Sequence, residues 1–216
     1  MQEMLQFAES WGGRREGSGR ARRKTGTAHC ARGRLSRHDP VLVTWKRVKG
    51  LGSFRQSAEA HIIVEAIKAS RRVDFRIVHF SIQSDHLHFL IEADGRQALA
   101  RGMRGLGCRL GRRLNKLWNR RGKLFAERFH GQTLTSLTQV RNALRYVLNN
   151  HLKHGHSSRP GGPDPFSSGD YFDGWSNYAR LFDPAHPDSY LSPPGWKLGP
   201  GWRTHHAPIR LSHTPG

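Results

Sequence analysis

The chain has 216 residues and carries 36 Lys and Arg against 16 Asp and Glu, which gives a net charge of +20 at pH 7. Its two cysteines, Cys30 and Cys108, have no Cys-x-x-Cys spacing, which excludes a disulfide scaffold and a cysteine-based zinc site. No apolar run approaches the ~20 residues of a membrane helix, and Met1 to Trp11 lacks a secretory signal. We therefore expect a soluble cytoplasmic protein whose charge suits nucleic acid, although a ribosome-bound or merely soluble cationic protein would have a similar composition.

Composition divides the chain into three parts. Residues 1–39 form a basic N-terminal arm that we expect to be disordered, because it has almost no large apolar side chains to bury. Residues 40–156 carry the hydrophobic periodicity of a folded domain. Residues 157–216 are rich in Pro, Gly and Ser with aromatic islands, which predicts a loosely folded tail that can drape back onto the domain.

Within the predicted domain, apolar residues follow the strand period and the helix period in turn. The predicted elements are strand 41–48, helix 54–69, strands 73–82 and 86–93, helix 97–118, strand 124–134 and a last helix 136–154. Ser136 and Gln139 form a predicted capping box for the last helix, and Gly155 is its predicted stop. This order predicts an α+β fold with one antiparallel sheet and helices packed on one face.

The helix predicted over residues 97–118 has two unlike faces. One face is apolar, and glycines interrupt the helix at positions 102, 105, 107 and 111. Such glycines usually mark close approach of another backbone or of a ligand. Its other face is cationic and is a candidate DNA-backbone surface, although a solvated cationic face explains the pattern nearly as well. The candidate DNA contacts are Arg101, Arg104, Arg112, Arg113 and Lys116, with Arg128 on the next strand. Trp45, Trp118 and Phe129 are candidate base-stacking side chains, but isolated aromatics of this kind are more often core.

The most informative feature is the pair His86 and His88 on the third predicted strand. Alternate residues of a strand share one face, so these imidazoles project side by side while Leu87, Phe89 and Ile91 point into a core. We expect the histidine face to be open. Two imidazoles suit a transition metal, or Mg²⁺ or Mn²⁺ when oxygen ligands complete the shell, but structural histidines would give the same pattern.

Tyr146 and Asn150 stand four residues apart on the last predicted helix. On a helical wheel Tyr146 lies nearly opposite the apolar stripe, on a face that it shares with Asn142, Asn150 and Lys153, and this position disfavours a core tyrosine. Asn150 is its neighbour one turn later. The amide oxygen of Asn150 can complete a metal shell begun by His86 and His88. The alternative is a solvated tyrosine beside two ordinary asparagines.

These side chains together suit phosphoryl transfer on DNA. A divalent ion polarises a phosphate, and a phenol that attacks phosphorus keeps the bond energy in a 5′-phosphotyrosine and leaves a free 3′-hydroxyl. A hydrolase would not need the tyrosine, whereas a strand-transfer enzyme does.

Three motifs follow one another along the predicted domain, at Asp85–Ile91, Leu124–His130 and Tyr146–Asn150, and the tail carries further motifs at 164–168, 172–175 and 201–203. With these motifs, the segment from Val41 to Gly155 resembles the single-tyrosine HUH transposases of the insertion-sequence-200 type, most of all their REP-associated branch. Asp85 stands where many relatives carry Asn, and His151 replaces the more usual Pro, which we expect to let the helix continue.

The resemblance implies a ferredoxin-like HUH domain with a C-terminal tyrosine-bearing helix. It implies a nuclease and strand transferase that acts in DNA transposition on single-stranded, hairpin-forming DNA. Tyr146 would be the nucleophile, and His86, His88 and Asn150 would bind Mg²⁺ or Mn²⁺. We expect a monomer or homodimer at the nucleoid. Two rival hypotheses stay open: a non-catalytic hairpin-binding module on the same fold, and a structural basic protein of an RNA assembly.

Overall fold

A four-stranded antiparallel sheet organises the protein, for which a computed structural model describes residues 35–156, 158–186, 189 and 191–215. Its strands are β1 (Val41–Lys46), β2 (Phe75–Ile82), β3 (His86–Ala93) and β4 (His130–Thr133), in the spatial order β2-β3-β1-β4. The helices are α1 (Ser57–Lys68), α2 (Arg96–Leu117), α3 (Leu137–Leu148) and the single turn α4 (Asn150–Lys153). The predicted α+β fold with ferredoxin-like strand order is confirmed.

Strand register decides which side chains surround the histidine pair. Thr44 on β1 lies opposite His88 on β3 and also opposite His130 on β4. On the other side of β3, Ser81 of β2 lies opposite His88. Because directly opposed residues share a face of the sheet, Thr44, Ser81 and His130 all lie on the histidine face.

Helices α1 and α2 cover the opposite face. Leu87, Phe89 and Ile91 are fully buried there, as the alternation along β3 predicted. The glycines of α2 do allow close approach, although the approaching groups are side chains. A Cβ built on Gly102 would lie 2.2 Å from the Phe75 ring, and one on Gly107 would lie 2.6 Å from the Trp45 ring.

The histidine face is covered rather than open. Its apolar side chains, Val78 and Leu90, pack with the buried stripe of α3 and with Phe172 and Trp202 of the tail. His88 is 1% exposed. The expectation of an open face was wrong because the apolar stripe of α3 must itself be buried, and the sheet supplies the partner surface.

Several element boundaries differ from those predicted. The segment before β4 is irregular: Leu124 and Phe125 pair only locally with the end of β1 and bury their side chains in the α1–α2 core. The strand predicted over 124–134 is therefore confined to residues 130–133. At the other end, Asn149 leaves helical geometry with φ −106° and ψ 12°, so α4 follows α3 after a one-residue break.

The caps of the last helix follow the sequence prediction. The Ser136 hydroxyl accepts from the Gln139 backbone N–H at 3.2 Å, and the Gln139 side chain accepts from the Ser136 N–H. Gly155 has φ +66°, as a left-handed stop requires.

The tail has little regular structure but is tied to the domain at buried positions. Arg55 donates two hydrogen bonds of 2.8 Å to Asp164, whose carboxylate is fully buried. The Asn149 side chain donates to the carbonyl groups of Arg210 and His213, both at 2.9 Å. The predicted basic arm lies outside the described residues except for residues 35–39. No helix in the described ranges is long and apolar enough to cross a membrane.

Helix α2 offers a matched pair of glycine substitutions. We expect Gly102→Ala to lower the free energy of unfolding by about 1–3 kcal/mol, because its methyl group overpacks against Phe75. At Gly111, where no described atom lies within 4 Å of the built Cβ, alanine should raise it by about 1 kcal/mol through helix propensity. Urea unfolding measures both changes, and a shift of the same sign in the two variants would contradict this packing.

Candidate active site

Strand β3 and helix α3 bring the histidine pair and the tyrosine together within one chain. The ring centroids of His86 and His88 are 4.6 Å apart. The Tyr146 ring meets the His88 ring edge to face, with centroids 4.9 Å apart. Tyr146 is half-buried at the margin of the α3–sheet core and is not a fully solvated residue.

Hydrogen bonds orient both imidazoles through Nδ1. Nδ1 of His86 lies 2.7 Å from a carboxylate oxygen of Asp85, and Nδ1 of His88 lies 3.0 Å from the Thr44 hydroxyl. Lys46 holds the other oxygen of Asp85 at 3.2 Å. With Nδ1 protonated in each ring, the lone pair of each histidine is on Nε2, the arrangement that metal-ligating histidines commonly have.

Burial keeps the pair neutral. Desolvation lowers the pKa of His88 to about 3. Desolvation also lowers the pKa of His86, although its hydrogen bond to Asp85 opposes this shift. Burial alone would raise the pKa of Asp85, but its hydrogen bonds with His86 and Lys46 lower it overall. At neutral pH the site therefore holds two neutral imidazoles beside an ionised carboxylate, which is the protonation state that metal binding requires.

Three buried side-chain atoms of the predicted ligand residues lack a hydrogen-bond partner among the described residues. They are Nε2 of His88 and both side-chain atoms of Asn150. Native proteins rarely leave such atoms unpaired, so they suit a bound group. Two neutral imidazoles and an amide oxygen fit a divalent cation of the Mn²⁺ or Mg²⁺ type. Within the described ranges, no cluster of three His, Cys, Asp or Glu side chains could hold a metal ion. A third ligand to the histidine pair would have to be of another kind, and Asn150 is the one that the sequence predicts.

Four neighbours of the site were not predicted to belong to it. Thr44 and Lys46 come from β1, and only the strand register reveals their position beside the histidines. Lys153 and His154 follow α3: the Lys153 Nζ lies 6.0 Å from the centre of the Tyr146 ring, and the His154 ring lies 5.0 Å from that of His86. The helical wheel placed Lys153 on the face of Tyr146, so this neighbour alone had a signal in the sequence.

The predicted DNA-contacting cations are not gathered at this site. Helix α2 lies in the layer on the other side of the sheet, where Arg101 pairs with Asp74 at 2.7 Å. The other predicted cations of α2 are exposed: Arg104, Arg112, Arg113 and Lys116. Arg128, in the segment before β4, is exposed as well.

The candidate stacking aromatics belong to the α1–α2 core. Trp45 stacks on Phe125 with centroids 3.7 Å apart, and Phe129 packs at the edge of the Trp45 ring. Trp118 stacks on Phe54 and donates to Glu59 at 2.7 Å. Their contacts favour the core interpretation.

A ferredoxin-like sheet with a histidine pair beneath a tyrosine-bearing helix defines the class of HUH domains. The family model described as "Transposase IS200 like" matches residues 40–150. The chain belongs to this family of IS200-like transposases. It is similar in fold to the solved structure of a REP-associated tyrosine transposase bound to a REP hairpin, with a TM-score of 0.54 and 16% sequence identity. The match covers 66% of this chain and 82% of that chain. A search of curated proteins gave no match.

Asp85 provides a test of the histidine pair as a metal site. We expect Mn²⁺ to bind the wild-type chain and Asp85→Ala to weaken this binding about 10–100-fold, because the substitution frees the His86 ring. Asp85→Asn keeps an acceptor and should weaken binding less. Isothermal titration calorimetry measures the affinities, with Asp74→Ala, a carboxylate that pairs with Arg101, as control. Equal Mn²⁺ affinity in wild type and Asp85→Ala would contradict the assignment.

Proposed function

We propose that the protein cleaves and rejoins single-stranded DNA at hairpin-forming sites, as a site-specific endonuclease and strand transferase of the REP-associated type. The observation that carries this proposal is the Tyr146 ring held against His88, at 4.9 Å, in an IS200-like transposase domain. The relative of similar fold was solved with a REP hairpin, which supports hairpin DNA as the substrate class.

Tyr146 is the nucleophile of the proposed reaction. Its hydroxyl oxygen attacks the scissile phosphorus, the bond from phosphorus to the 3′-oxygen breaks, and the departing 3′-oxygen takes up a proton. The products are a 5′-phosphotyrosine and a free 3′-hydroxyl. Attack by another 3′-hydroxyl reverses the step and joins a different strand.

His86, His88 and Asn150 would hold the divalent cation that the family chemistry implies. When bound, an Mg²⁺ or Mn²⁺ ion polarises the phosphate and offsets charge in the transition state. The surrounding residues orient this set, because Asp85 and Thr44 fix the imidazole rings. Asn150 is the first residue of α4 and is fully buried. Lys46 adds a positive charge on the same face of the sheet.

One chain supplies every proposed catalytic group. Tyr146 contacts His88 of its own chain, so no second subunit is needed to complete the pair. We therefore propose that Tyr146 acts in cis and that a monomer is sufficient for cleavage.

The exposed cations of α2, here called the distal basic surface (Arg104, Arg112, Arg113 and Lys116), are proposed to contact DNA phosphates away from Tyr146. Their position across the sheet separates them from the reacting bond. Phosphate contacts set affinity and its salt dependence, whereas they carry little sequence information. This surface would therefore hold the DNA without choosing the cleavage site.

Loss of the tyrosine hydroxyl separates catalysis from binding. With a labelled hairpin oligonucleotide and Mn²⁺, we expect wild type to form a denaturant-resistant adduct and Tyr146→Phe to form none, with hairpin affinity changed by less than about twofold. Tyr178→Phe is the control, since Tyr178 bonds Asp170 in the tail. Hairpin binding without an adduct in wild type, with any metal, would instead support the non-catalytic binding module.

The salt dependence of hairpin binding tests the distal basic surface. Replacing both Arg112 and Arg113 with Gln should reduce the slope of log affinity against log salt by about 0.9 for each duplex phosphate that the protein no longer neutralises. Arg180→Gln, a charge change in the tail beside Asp183, should leave the slope unchanged. Fluorescence anisotropy at several salt concentrations measures it, and an unchanged slope in the double variant would contradict the assignment.

A further inference from the structure

A pocket of ≈ 350 Å³ lies beside Tyr146, between α3 and the β1–β4 side of the sheet. This size is near the lower end of the range for small-ligand sites, about 300–1,000 Å³. Its apolar walls come from Leu42, Leu134 and Pro215. Its polar lining includes Gln139 and Arg145 of α3, so the pocket combines flat apolar surface with a few polar groups and shares a wall with the proposed nucleophile.

Gln139 lines the pocket, and its side-chain oxygen is already occupied. Its Oε1 accepts from the backbone N–H groups of Thr135 and Ser136, at 2.8 Å and 3.2 Å. Both partners are donors, which fixes the orientation of the amide. The hydrogen-bonding group that remains is the NH₂ group.

Arg145, which also lines the pocket, is a second side chain that can donate hydrogen bonds. Its Nε is buried and has no hydrogen-bond partner among the described residues. A guanidinium group donates only, so it must be satisfied by an acceptor. Together, Gln139 and Arg145 make this a donor-rich pocket next to the reacting residue.

We propose that the pocket binds one unpaired base of the DNA strand beside the bond that Tyr146 cleaves, and that it selects guanine. This inference rests on the proposed function. The guanine edge presents two acceptors, N7 and O6, which suit arginine, whereas adenine places a donor beside N7. Bases of single-stranded DNA leave the stack at low cost, and the apolar walls accept a flat ring. The pocket thereby supplies the sequence selection that the distal basic surface lacks.

Two substitutions remove the donors without removing the fold. Gln139→Glu keeps the oxygen that caps α3, since glutamate serves equally in a capping box, but replaces the NH₂ donor with an acceptor. Arg145→Gln removes the guanidinium group. Arg141→Gln is the matched control, because Arg141 lies on the same helix, donates to the Ala207 carbonyl at 3.1 Å and does not line the pocket.

The test uses full-length Tyr146→Phe protein and a DNA hairpin whose single-stranded flanks are randomised. Bound molecules are recovered and sequenced, so the readout is binding alone. We expect guanine to exceed adenine about tenfold at one flank position, and the ratio to fall below about threefold when Gln139→Glu or Arg145→Gln is added. Arg141→Gln should keep the full preference.

Absence of any base preference, preference for another base, or a guanine preference that survives both pocket variants would overturn the inference. Adduct formation by the otherwise wild-type chain on the same hairpins reports separately on the proposed function. An adduct without base selection would reject only the pocket, and base selection without an adduct would support the pocket and contradict the nuclease.

Discussion

Packing of α3 onto the histidine face of the sheet is the constraint on which the site depends. Val140, Leu144 and Leu148 are fully buried in the core that this packing forms with Leu90. The same docking places Tyr146 at the margin of the core, against the His88 ring. It also removes His88 from water, which lowers its pKa and keeps the imidazole neutral. Geometry and protonation state therefore have one physical origin.

The tail also packs on α3 and helps to hold it against the sheet. Trp202 is fully buried in the α3 core, and Asn149, at the break between α3 and α4, is tied to tail carbonyl groups. The buried pair of Arg55 and Asp164 fixes the beginning of the tail, and removal of one partner of such a pair typically costs about 3–5 kcal/mol. The segment that carries Asn150 is thus held from both sides.

Local patterns in the sequence predicted local features well. The period of two along β3 correctly separated His86 and His88 from Leu87, Phe89 and Ile91. The capping box correctly marked the start of the last helix, whereas the break at Asn149 was not predicted. Local patterns could not predict which helix packs on which face of the sheet. The apolar stripe of α3 shows that this helix must pack against something, but it does not show against which surface. The sequence therefore did not predict that α3 covers the histidine face. The cationic face of α2 likewise has no signal that places it across the sheet from Tyr146.

The cis arrangement of Tyr146 and the histidine pair is most directly tested by mixing two inactive variants. Tyr146→Phe retains the histidines, and His86→Ala retains the tyrosine. With a labelled hairpin and Mn²⁺, we expect an adduct with wild type and none with an equimolar mixture of the variants, because no single chain carries a complete site. An adduct restored in the mixture would show that the tyrosine acts with the histidine pair of another chain, and would contradict the cis arrangement.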